Sequence, residues 1–137
     1  MRMIKSSIRR KFRAEIGTVW GIVTNNAAYD WRSDIARIDM ADDLHFTEYD
    51  NRGFPTHFNV TAKNPPAEYI LAFENANIKG VWTGRFTALD GKTTQLDFSE
   101  EVEVRNPVMR LLARPYLKIQ QKRYMRDLRS ALPVSER

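Results

Sequence analysis

The sequence predicts an α+β fold: a curved, seven-stranded antiparallel sheet with two short helices near its start and one long helix at its C-terminal end. Three observations carry this. Residues 107–137 follow one helical period. Most of the chain before them alternates apolar with polar residues, the period of a half-buried strand. Short turn signals separate the alternating runs. A lone long helix has no helical partner, so its apolar stripe must lie across the sheet. A sheet curved around one helix leaves a hollow, and that hollow is where function is expected.

Each element follows from its own residues. Ile4, Ser6, Ile8, Arg10 and Phe12 alternate with Lys5, Ser7, Arg9, Lys11 and Arg13, which gives a strand with a charged outer face. Ile16, Val19, Trp20 and Val23 recur at helical spacing within residues 15–24. Residues 27–34, with Tyr29 and Trp31, are expected to form a second short helical turn. Strands are expected over residues 35–40 and 44–49, then after the turn Asp50-Asn51-Arg52-Gly53 over residues 54–62. Asn64-Pro65-Pro66 breaks the pairing before a strand carrying Tyr69, Leu71 and Phe73. Residues 78–89 and 93–105 form the last hairpin around Asp90-Gly91. Asn106 suits an N-cap and Pro107 a first helical position. Pro115 is expected to kink or split the helix, because it removes the bond to Leu111. Beyond it, Leu117, Gln121, Tyr124, Leu128 and Leu132 share one face.

With 137 residues, the chain has the length of one domain, residues 1–137, and can bury a sizeable core without staples. It has no Cys, which excludes disulfides and Cys-based zinc or iron–sulfur sites. No 18-residue apolar run spans a membrane, and the basic N-terminus lacks the apolar segment of a signal peptide. A cytoplasmic protein is expected. The net charge of +5 concentrates in Arg9, Arg10, Lys11 and Arg13, and on the last helix in Arg110, Arg114, Lys118, Lys122, Arg123, Arg126 and Arg129. Aromatic residues are not interleaved with these, so no nucleic acid is expected as partner. A weak contact of the helix with an anionic membrane surface is expected from Lys118, Lys122 and Arg126.

In combination, Glu15-Ile16-Gly17-Thr18-Val19-Trp20, Tyr29-Asp30-Trp31-Arg32 and Asn77-Ile78-Lys79-Gly80-Val81-Trp82-Thr83-Gly84, followed by Thr93 and Glu100, resemble the START-like superfamily (polyketide cyclase/dehydrase-like, SRPBCC). The resemblance extends from about Ile4 to Leu132. It implies a helix-grip fold with an internal cavity for an apolar ligand, and it implies no single activity.

The chemistry-bearing residues are few. His45 and His57 fall on the polar phase of their strands, no phosphate loop or nucleophile elbow is present, and no metal or cofactor is expected. Glu48 and Glu100 instead continue apolar phases, so both are expected to point inward and to need a partner or a proton. Arg10 is the expected partner of Glu100, because the first and last strands are neighbours in the fold that the resemblance implies. Trp82 shares a strand face with Gly80 and Gly84, which are expected to leave room beside it. The expected cavity wall is Trp31, Phe46, Glu48, Phe58, Tyr69, Phe73, Trp82, Phe98 and Glu100, with Tyr116 and Tyr124 from the helix. The expected function is binding of a lipid, isoprenoid or polyketide-like molecule in this cavity; the alternatives are a cyclase or dehydratase using the inward carboxylates, and an interaction domain like the chaperone activators of the superfamily, docking an acidic partner on the basic helix face.

Overall fold

The computed structural model describes residues 3–133. The chain runs β1 (Ile4–Phe12), α1 (Ile16–Thr24), β2 (Ile35–Met40), β3 (His45–Asp50), β4 (Pro55–Asn64), β5 (Glu68–Glu74), β6 (Ile78–Asp90), β7 (Thr93–Val104) and α2 (Pro107–Ala131). The strands form one sheet in the order β1-β7-β6-β5-β4-β3-β2, every neighbouring pair antiparallel. From β2 to β7 the sheet is a meander. β1 closes onto β7 with Ile4 opposite Val102 and Phe12 opposite Thr94.

The alternation of β1 buries Ile4, Ser6, Ile8 and Phe12 and exposes the basic residues between them. The β3–β4 turn needs a left-handed residue, which Gly53 supplies at φ +82°. Asn106 caps α2: its side-chain oxygen accepts from the backbone N–H of Val108 at 2.8 Å. α2 stays helical through Pro115 instead of splitting there. Pro115 and Leu111 are both exposed, so water can take the carbonyl that loses its helical donor.

The second short helix is absent. Residues 27–34 form hydrogen-bonded turns, with the Arg32 N–H donating to the Tyr29 carbonyl at 2.9 Å. Side chains hold this segment: Ser33 donates through its N–H (2.8 Å) and its hydroxyl (2.7 Å) to the buried carboxylate of Asp127 on α2. Those bonds compete with the helical ladder.

The meander puts the β2–β3, β4–β5 and β6–β7 turns at one end of the sheet, where α1 covers the concave face. There Phe12, Trp20, Tyr69, Phe86, Leu96 and Phe98 pack with Met125, Leu128 and Leu132. At the other end lie the β3–β4 and β5–β6 turns and the exit of β7. A smaller cluster of Ile4, Phe73, Val102, Val104, Ala113 and Leu117 is buried there. α2 packs chiefly on β1 and β7 and not on the middle of the sheet. Its free flank faces β3 and β4 across a gap.

A candidate ligand-binding cleft

That gap is a cleft of about 930 Å³. Met109, Leu112, Ala113, Tyr116 and Leu117 form its helical wall. Ile78, Val102, Val104, Phe54 and Thr56 form the sheet side. Its polar lining comprises Asp34 and Glu48, whose side chains are mostly buried, together with Asp50, Asn51, Arg52, Thr56, Asn75, Asn77, Gln120 and Arg123.

The inner end is charged. Arg32 reaches Asp34 at 3.1 Å and Glu48 at 3.3 Å, with the Arg32 and Glu48 side chains only 12% and 13% exposed. Its guanidinium also lies 4.8 Å from the centre of the Tyr124 ring. Burial opposes the charge on Arg32, but the facing carboxylates of Glu48 and Asp34 outweigh it and the guanidinium is held more firmly protonated than usual. Burial pushes the Glu48 carboxyl up, against the pull of Arg32. Burial likewise pushes the Tyr124 hydroxyl far up. Arg32 carried no periodic signal in the sequence, because it sits in a turn. Only its place after Trp31 in the segment Tyr29-Asp30-Trp31-Arg32 marked it.

Glu100 lies on β7 one inward position deeper than Val102. Its partner is Gln121 of α2, whose Nε2 donates to the carboxylate at 3.3 Å and to the Ser6 carbonyl at 2.9 Å. The Ser6 hydroxyl donates back to Gln121 Oε1 at 2.9 Å. Arg10 is not involved. Register places Ser6 opposite Glu100 and Arg10 opposite Leu96, and Arg10 donates to the carbonyl of Arg9. A neutral amide stabilises a carboxylate less than a guanidinium does. Burial, reinforced by the negative charge of Glu48, therefore pushes the Glu100 carboxyl up to about 7, with Gln121 and Arg32 opposing the shift.

Of the residues expected to form the cavity wall, Glu48 and Tyr116 line this cleft. The aromatic ones are packed against one another beneath it. Phe46 stacks on Phe58 at 5.0 Å, and Phe58 meets Phe73 at 5.6 Å. Tyr69 meets Trp82 at 5.9 Å, Trp82 meets Phe98 at 4.5 Å, and Tyr124 bridges Phe98 (4.8 Å) and Trp31 (5.2 Å). The two glycines beside Trp82 leave no room. A Cβ on Gly84 would lie 2.8 Å from the Trp82 ring, and one on Gly80 would lie 2.5 Å from the Glu101 carbonyl. They permit close approach of the Trp82 ring and of β7. His45 and His57 are exposed, as their phase implied, and bond Asp42 and Thr47. Among the described residues no group of three His, Cys, Asp or Glu is arranged to hold a metal ion. No helix there is long and apolar enough to cross a membrane.

No family model and no curated sequence matches the chain. Solved structures match it in fold. A conserved protein from Geobacillus kaustophilus superposes with a TM-score of 0.83 at 14% identity, covering 98% of each chain. A START superfamily protein from Mycobacterium smegmatis gives 0.80 at 15% identity, over 93% of this chain and 94% of that one. The Zhui aromatase/cyclase from Streptomyces sp. R1128 gives 0.81 at 11% identity, over 94% of this chain and 93% of that one. The architecture is thus the START-like helix-grip fold, and identities this low establish the fold alone.

Proposed function

We propose that the protein binds one small apolar or amphipathic molecule in the cleft between α2 and the sheet. The observation that carries this reading is the form of the cleft. Its volume is that of a small-molecule site, and its lining combines aliphatic and aromatic side chains from α2 and the sheet with charged and amide groups that can anchor a polar end. A lipid, an isoprenoid or a polyketide-like aromatic would lay its body along Met109, Leu112, Tyr116, Ile78 and Phe54. Its polar end would reach Glu48 and the Arg32 network; Glu100 lies outside the cleft lining, two residues before Val102 on β7. A carboxyl titrating near 7 is half protonated at neutral pH, so it can donate a hydrogen bond to a carbonyl or hydroxyl.

The same group favours one second reading, a cyclase- or dehydratase-like enzyme with Glu100 as the acid. Acid catalysis is most efficient when the pKa lies near the working pH. The START superfamily and aromatase/cyclase likenesses fit either reading.

Native mass spectrometry of the purified protein tests the binding reading directly, since a co-purifying molecule names its class. Titration with the dye 1-anilinonaphthalene-8-sulfonate is the second arm. One dye should bind per chain, and Ile78→Trp, which fills the cleft from the β6 side, should lose it. A dye that binds Ile78→Trp as well as the wild type removes the cleft from consideration. Turnover abolished by Glu100→Gln with binding retained would decide for the enzyme.

A further inference from the structure

The outer face of α2 changes character along its length. Over its first three turns it is apolar: Val108, Leu111, Leu112 and Ile119 are all exposed, Leu111 at 83% and Ile119 at 58%. Beyond Ile119 the same face carries Lys122 and Arg126. Large side chains left in water on consecutive turns form a patch, and patches of this kind mark interaction surfaces. The patch continues into the cleft mouth. Met109, Leu112 and Tyr116 are both exposed and cleft-lining, and Phe54, at the tip of the β3–β4 turn, is exposed on the opposite rim.

Its electrostatics select the occupant. From Pro107 to Arg126 there is no Asp or Glu, while Arg114, Lys122, Arg123 and Arg126 flank the apolar residues; Arg110 and Lys118 turn to the sheet, where they bond the carbonyls of Val104 and Ser7. A second copy of the same face would bring two like-charged rings together, which disfavours self-association. An apolar wedge ringed by one sign of charge suits a surface that is apolar inside and negative outside.

We propose that the N-terminal half of α2, with Phe54, docks on an anionic lipid bilayer: Val108, Leu111, Leu112 and Ile119 enter the acyl boundary, and the basic side chains meet the headgroups. The cleft mouth then opens onto the membrane, so an apolar ligand enters or leaves without crossing water. Docking itself does not depend on the cleft being a ligand site. It differs from purely electrostatic contact in needing the apolar wedge.

Flotation with vesicles of phosphatidylcholine, with and without phosphatidylglycerol, tests it on the full chain. The wild type should float with the phosphatidylglycerol vesicles only. The double variant L111S/L112S should lose binding about tenfold or more, because two leucines no longer leave water. Its melting temperature should be unchanged, because both positions are exposed in the free protein. Lys122→Gln with Arg126→Gln should weaken binding about fivefold or more and flatten its salt dependence. Failure to float at all, or equal flotation of L111S/L112S, overturns the proposal. So does a wild-type dimer that L111S/L112S dissolves, which would assign the face to a second copy. Flotation that survives while Ile78→Trp loses the dye leaves both proposals standing. Flotation with no dye or co-purifying molecule leaves only the docking.

Discussion

The two ends of the sheet are built from the same strands and differ in what fills them. At the end beneath α1, three elements converge: α1, the C-terminal half of α2 and the aromatic side chains of β4 to β7. Leu128, Leu96 and Val19 have no exposure there. At the other end only the first turns of α2 approach the sheet, and they approach on the β1–β7 side. Among the described residues no helix covers β3 and β4 at this end, so a cleft remains, with Met109, Leu112 and Tyr116 exposed along it and Val102, Val104 and Leu117 buried beneath them. The difference shows that the hollow of this fold arises from an absent third layer and not from small residues. Of the glycines that flank Trp82, Gly84 lies in the packed half against Trp82 and Phe98, and Gly80 lies against Val102 and Phe73 of the smaller cluster; both allow close contact and neither opens space.

The sharpest test contrasts one leucine from each end. Leu128→Ala should cost about 4 kcal/mol, since the cavity is enclosed and cannot relax. Leu117→Ala should cost about 2 kcal/mol, because its wall already faces an open cleft. Equal losses in denaturant melts would mean that the two ends are packed alike.

The charged inner end of the cleft is the seam between the two regions. Arg32→Met should destabilise by about 3 kcal/mol, because Glu48 and Asp34 would remain buried with no counter-charge. A double variant, Arg32→Met with Glu48→Gln, should recover part of that loss. No recovery would show that Arg32 acts through its packing on Tyr124 alone.

Glu100, held by an amide, behaves differently from Glu48. Its carboxyl titrates near 4.5 in the unfolded chain and at about 7 in the fold, so the folded state holds the proton more tightly. Its contribution to stability is full below about pH 4.5 and is lost as pH rises through 7. Relative to the wild type, Glu100→Gln should therefore gain about 2 kcal/mol between those limits, somewhat less than the full shift because the carboxyl keeps some water contact. The difference between the two proteins, melted at a series of pH values, isolates this group. A difference that stays flat with pH would mean that the carboxyl is hydrated.

The smallest effect belongs to the uncovered face of α2. Leu111→Ser should change stability by less than about 0.5 kcal/mol, as exposed substitutions do. A loss comparable to that of Leu117→Ala would show that the first turns of α2 are packed, contrary to their exposure.

Legibility in the sequence followed the range of the interaction involved. The strands, the hairpin turns, the Asn106 cap and the core face of α2 at Leu117, Gln121 and Leu128 depend on residues within a few positions of one another. Strand and helix periods therefore revealed them, and the inward phase of Glu48 and Glu100 with them. The partners of those carboxylates were not legible. Arg32 lies in a turn with no period, and Gln121 is 21 residues from Glu100. Register then moved Arg10 away from Glu100 by placing it opposite Leu96.

By itself the sequence determined which side of each strand and helix is apolar, because that is a local repeat of side-chain chemistry. Only the tertiary structure decided where α2 rests on the sheet, and so which inward residues meet protein and which meet the cleft. The apolar residues on its first turns make the point. A helical period shows that Val108, Leu111 and Leu112 lie on a face, but only the seating of α2 on β1 and β7 leaves that face without a layer above it.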